Sequence, residues 1–189
     1  MNNQILYIIY LHAKSKMNQK KGQVWVETAI YMLIGLSIIA IILSVATPQL
    51  QKMKEKGIVK QTIDALNSLN KEIIKIENSP GARRIIQFKL TQGKLIINPE
   101  HNNITYVLEN TGLKLTEPGV EVKEGDLYFL TEEYGKNFNI NIELRYNLEI
   151  TVNGDVKSKT IHGGNYEIQL ENVGDNSINQ PVHIDFKIT

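Results

Sequence analysis

Lys20-Lys21-Gly22-Gln23-Val24-Trp25-Val26-Glu27-Thr28 runs straight into Ala29-Ile30-Tyr31-Met32-Leu33-Ile34-Gly35-Leu36-Ser37-Ile38-Ile39-Ala40-Ile41-Ile42-Leu43-Ser44-Val45-Ala46. Two lysines and a glycine abut a long apolar segment, and one carboxylate, Glu27, sits inside its leading end. The residues 24–47 carry that single formal charge and are long enough to cross a bilayer as a helix. A charge in such a segment is costly in lipid and marks a function or a partner. The plainer reading of Glu27 is a dipole-compensating acid in a first helical turn. A solvent-facing cap, however, needs no spanning segment after it.

The order of these residues resembles the class III signal peptide and N-terminal helix of archaeal type IV pilin-like proteins. In that family a prepilin peptidase cuts after the glycine. The resemblance makes Gly22 the last leader residue and Gln23 the first mature one, with Lys20 and Lys21 before the cut. Gln23 first and Glu27 fifth match the archaeal pattern, whereas Trp25 stands where a small polar residue is common. Cleavage would free an ammonium at Gln23, which Glu27 neutralises in the same chain or in the next subunit. Such pairing would set the register of assembly. The implied partners are the prepilin peptidase, a pilus assembly ATPase with its membrane platform, other pilin-like subunits, and the membrane before assembly.

Upstream, Ile5 to Leu11 is apolar but too short to span. It reads as part of an unusually long leader, as the apolar stretch of a secretory signal, or as sequence ahead of a true start at Met17. The last is preferred, because Met17 to Gly22 has the length of a typical leader in the resembled family. Lysines flank the span on both sides, at Lys14, Lys16, Lys20 and Lys21 and again at Lys52, Lys54, Lys56 and Lys60. Charge counting is therefore nearly balanced. The leader resemblance is what places the C-terminal part outside the cytoplasm.

Inside the span, Ser37, Ala40 and Ser44 share one helical face, where small residues allow close approach of helices; ordinary anchor composition explains them equally well. Pro48 ends the apolar run. It has no N–H and crowds the carbonyl of Ser44, so a kink or local melting is expected there. Beyond it, Val59, Ile63, Leu66, Leu69, Ile73 and Ile76 recur at steps of three and four, a one-sided helical stripe. Gly57 weakens the helix near the membrane, and Ser79-Pro80-Gly81 stops it. The helix should begin near Gln23 and, if continuous to Asn78, measure roughly 80 Å.

From Arg83 the period becomes two. Ile85, Ile86, Phe88 and Leu90 predict one strand, and Gln92-Gly93 a turn into 94–97. Residues 98–103 read as a loop before 104–108. Short strands follow at 120–122 and 127–130. Phe138, Ile140, Ile142, Leu144, Tyr146, Leu148, Ile150 and Val152 then alternate without interruption and predict the clearest strand of all. Asn153-Gly154 predicts a hairpin turn into 156–161. Gly163-Gly164 precedes 166–170, and 182–188 closes the chain. The expected class is α+β, a long hydrophobic N-terminal helix followed by an antiparallel β-sheet or β-sandwich. The expected parts are a leader (1–22), a long helix (23–78, with 23–47 for membrane and assembly and 49–78 amphipathic) and an extracytoplasmic β-rich domain (83–189).

Composition narrows the function. The chain of 189 residues holds one moderate domain plus an anchor. Residues 1–22 contain four lysines and no acid, so removing them from 21 basic residues leaves 17 against 20 acidic ones. No basic patch interleaved with aromatics points to nucleic acid. There is no cysteine, hence no disulfide framework, thiolate site or thiol nucleophile. His12, His101, His162 and His183 stand apart, and no phosphate loop, nucleophile elbow or zinc-protease helix is present. Glu132-Glu133 reads as a solvated turn. Glu121, Glu124 and Asp126 lack the EF-hand spacing and read as solvated. Asn103-Ile104-Thr105 is a sequon, making Asn103 a candidate glycosylation acceptor in an exposed loop.

These features predict no enzyme and no cofactor. The resemblance implies a structural subunit of an archaeal type IV pilus-like surface filament, a membrane protein before assembly and a surface polymer after it, serving adhesion or motility. The alternative is a single-pass anchored β-domain that binds a ligand or partner without polymerising.

Overall fold

The structure, a computed structural model, describes residues 3–174 and 182–189, with the backbone alone at 3 and 12–23. The elements run α1 (Asn3–Glu77), β1 (Arg83–Asn98), a 3-10 turn (Pro99–His101), β2 (Asn103–Thr111), β3 (Glu121–Glu124), β4 (Leu127–Tyr134), β5 (Asn137–Arg145), β6 (Glu149–Val152), β7 (Lys159–Asn172) and β8 (His183–Ile188). The fold is α+β, a long N-terminal helix followed by an eight-stranded, mostly antiparallel sheet. The chain divides into two compact units, Met1–Leu50 and Gln51–Thr189.

In the first unit the described backbone is helical. α1 starts at Asn3, well ahead of Gln23 where the sequence predicts it to begin. Between these points Leu, Ala, Lys, Gln and Met favour helix, and no proline intervenes. Pro48 lies inside α1, where its missing N–H leaves the Ser44 carbonyl without its usual helical donor.

In the second unit the amphipathic stripe is the helix's contribution to the core. Val59, Leu66, Leu69, Ile73 and Ile76 are buried and Ile63 is half-buried against them. They join Phe88, Leu95, Ile104, Ile142, Ile168 and Phe186, among others, in one apolar cluster. Each fully buried aliphatic contributes about 1.5–3 kcal/mol. α1 ends at Glu77, as the Ser-Pro-Gly signal predicts. Its last carbonyls do not go unsatisfied: the buried Asn172 amide donates to Ile76 O at 2.7 Å and to Glu77 O at 3.1 Å.

The strand order is β3-β4-β5-β2-β1-β7-β8-β6. Four sequence readings are corrected by it. Asn153-Gly154 turns the chain but does not form a hairpin between two strands of the sheet, because β6 pairs with β8 and not with β7. Gln92-Gly93 is not a hairpin turn; β1 continues through it and pairs with β7 on both sides, with the register shifted between Leu90 and Lys94. Gly163-Gly164 likewise does not separate two strands, because β7 runs unbroken from Lys159 to Asn172. The two irregularities face each other, Leu90 opposite Gly164 and Lys94 opposite His162. Gly93 has φ +83°, and a Cβ there would lie 2.6 Å from Val107 O and 2.7 Å from the Tyr106 ring. Only glycine fits that bulge.

The fourth correction concerns 138–152. It is two strands, β5 and β6, broken at Tyr146-Asn147-Leu148. β5 stands third in the sheet and β6 last, paired in parallel with β8, so the sheet is not wholly antiparallel. In a flat sheet five strand spacings would part them by about 24 Å. A three-residue link spans only about 13 Å, so the sheet must curl. Asn102, in the left-handed conformation after the 3-10 turn, ties the crossing. Tyr146 N–H donates to its carbonyl and Ile150 N–H to its side-chain oxygen, both at 3.0 Å.

Candidate functional site

α1 contains one stretch long and apolar enough to cross a membrane, with a mean hydropathy of 2.6 over its best window and none of that window buried. Val24, Trp25, Met32, Leu36, Ile41 and Leu43 are all exposed, Trp25 at 81%. A row of this kind in water would cost what burying each side chain gains. It has the length and composition of a membrane anchor or of a signal-like segment.

The hydroxyls of the stretch are satisfied within the helix itself. Thr28 donates to Val24 O at 2.9 Å, Ser37 to Leu33 O at 2.7 Å, Ser44 to Ile41 O at 2.7 Å and Thr47 to Leu43 O at 2.7 Å. Each hydroxyl is turned onto its own helix, so the face of Ser37, Ala40 and Ser44 presents little polarity outward. Glu27 accepts a hydrogen bond from the Tyr31 hydroxyl at 3.3 Å. Sequence reading singled out Glu27 but not this partner; the i, i+4 spacing was the available signal.

Of the predicted processing residues, Lys20, Lys21, Gly22 and Gln23 lie in helical backbone of α1, and their side chains are outside the described residues. Gln23 and Glu27 are four positions apart on the same helix, about 6 Å along its axis. Asn103 is the first residue of β2, not part of the loop, and pairs in register with Asn98 and Arg145. It is half-buried and its amide donates to Glu143.

The second unit contains polar clusters that the sequence did not reveal. Glu55, 6% exposed, accepts from Thr111 Oγ1 at 2.6 Å, Gly112 N at 3.0 Å and Gln51 Nε2 at 2.9 Å. Burial pushes its carboxyl up, but these three hydrogen bonds and the Lys52 charge outweigh it and hold the group below its ordinary range. Glu55 thereby fastens α1 to the end of β2. Asn70 donates to Asp126 Oδ2 at 2.8 Å and accepts from Tyr146 at 3.1 Å. Asp126 is thus a helix-to-sheet contact, and Glu121 pairs with Arg145.

The arrangement nearest to a catalytic one is Thr151 with His183 and Asp185. The Thr151 hydroxyl lies 2.8 Å from His183 Nε2 and 2.8 Å from Asp185 Oδ1, which also accepts from Gly154 N at 2.8 Å. An ionised carboxylate only accepts, so the hydroxyl proton goes to Asp185 and His183 Nε2 must donate to the hydroxyl oxygen. A base-activated nucleophile needs the reverse polarity. This cluster joins β6 to β8 and orients rather than activates. Among the described residues no group of three or more His, Asp and Glu is placed to hold a metal.

Comparison with family models, with curated proteins and with solved structures gives no match.

Proposed function

We propose that the chain is a structural subunit of a type IV pilus-like surface filament. A prepilin peptidase would cut between Gly22 and Gln23, and an assembly ATPase with its membrane platform would draw the product from the bilayer. The observation that carries the reading is the exposed apolar face of 24–47 with a single carboxylate, Glu27, four residues after the cleavage position. A β-domain is fused to the far half of the same helix. An exposed helix of this kind gains from packing against copies of itself, and a carboxylate near a newly made amine gives that packing a register. Charge on Gln23 exists only after cleavage, so processing and assembly are coupled in this account.

Two experiments test it in cells with an active peptidase. Gly22→Val leaves a larger, uncut chain; a protein of unchanged size contradicts processing at this bond. Glu27→Ala still inserts but loses most assembly into filaments, as recovered by shearing the cell surface. A variant that assembles normally favours the rival reading, a single-pass anchored β-domain that binds its partner without polymerising.

A further inference from the structure

We infer that Tyr31 is a positioning residue that serves Glu27 as a hydrogen-bond partner while the helix is surrounded by lipid. The inference rests on the membrane-stage part of the reading above and asks a question that reading leaves open. A chain that waits in a bilayer before any neighbour arrives holds a carboxylate with no subunit to pair with. Desolvating an unpaired carboxylate is costly, so a partner within the same helix matters most at that stage.

The geometry supplies one. Side chains on a helix lean toward its N-terminus, so a residue at i+4 covers the one at i. Tyr31 is four residues after Glu27, and its hydroxyl lies 3.3 Å from Glu27 Oε1. Thr28, Ser37, Ser44 and Thr47 turn their hydroxyls onto main-chain carbonyls. Tyr31, by contrast, reaches a side chain, and that side chain is the one formal charge of the span. A phenol suits the task because it brings a donor on a large apolar body at little cost in the bilayer. It also donates one bond to one carboxylate oxygen and leaves the other oxygen available to an amine. Tyr31 thus holds Glu27 without blocking the contact that assembly would use.

The test is a double-substitution cycle on the full chain in phosphatidylcholine vesicles at neutral pH. Ultraviolet resonance Raman reports whether a tyrosine hydroxyl donates strongly, and the difference between wild type and Tyr31→Phe isolates Tyr31. The expected signal is that of a hydrogen-bond donor, lost in Glu27→Ala. In the same chains the inserted-to-uninserted ratio falls about three- to ten-fold on Tyr31→Phe when Glu27 is present. It stays constant when residue 27 is alanine. An equal change in both backgrounds, or a Tyr31 signal indifferent to residue 27, makes Tyr31 an ordinary interfacial aromatic and overturns the inference. That result leaves the filament proposal standing. A wild-type chain that does not insert overturns both. Insertion with the expected coupling but no filaments on cells overturns the filament proposal alone.

Discussion

Glu55 shows how one residue carries a mechanical duty. It lies in a lysine-rich stretch of α1, between Lys52 and Lys56, yet its carboxylate is buried and takes three hydrogen bonds. The folded state holds its pKa below the ordinary value of 4.5. A depressed carboxyl stabilises the fold above its unfolded pKa, and that stability is lost as pH falls through the folded one. The domain should therefore weaken as pH drops below about 4.5. Glu55→Gln should cost about 1–3 kcal/mol at neutral pH and flatten that part of the acid limb. Urea unfolding followed by near-ultraviolet circular dichroism, at neutral pH and at progressively lower pH, measures both. An unchanged acid limb would mean that Glu55 is not the group that senses it. Nothing in the local sequence separates Glu55 from its solvated neighbours. Its acceptor role depends on Thr111 and Gly112, which the fold delivers from far along the chain.

At the scale of elements, two glycines in different settings make a matched prediction. Gly57 sits in the exposed interior of α1 with open space where a Cβ would go. Gly57→Ala should stabilise the domain by about 0.5–1 kcal/mol. Gly93→Ala should destabilise it by about 1–3 kcal/mol, because a left-handed φ and two close contacts meet the new methyl. Denaturant midpoints of the two variants should move in opposite directions. The same bulge explains what the sequence could and could not disclose. The helical stripe from Val59 to Ile76 was legible because one buried face imposes its period on the residues. The strands were legible as apolar alternations for the same reason. Strand boundaries were not. Inward residues change phase from Phe88 and Leu90 to Leu95 and Ile97, and a change of phase is also what a turn produces. Between Phe138 and Val152 the opposite holds. β5 and β6 bury the same side of a curled sheet and Leu148 in their link is buried too, so the alternation crosses a break without a trace. Parallel pairing of β6 with β8 is a long-range fact that no local pattern encodes.

For the whole molecule the two units invert each other's surface chemistry. The second unit gathers most of its described apolar side chains into one core, whereas 24–47 exposes nearly all of its own. Such a division makes sense when the first part is destined for lipid or for neighbouring helices and the second for water. Glu27 was legible because a lone acid in an apolar run breaks its own context. Tyr31 as its partner became visible only once helix geometry placed the hydroxyl. The central claim of the proposal is that cleavage after Gly22 frees the Gln23 amine with which Glu27 sets the packing of the apolar helix in a filament. The most direct measurement is mass spectrometry of the N-terminal peptide of the protein taken from the native cell surface. The account predicts a chain that begins at Gln23, with its amine free or cyclised. A chain that begins at Met1 or Met17 would contradict it and leave an anchored β-domain in search of its ligand.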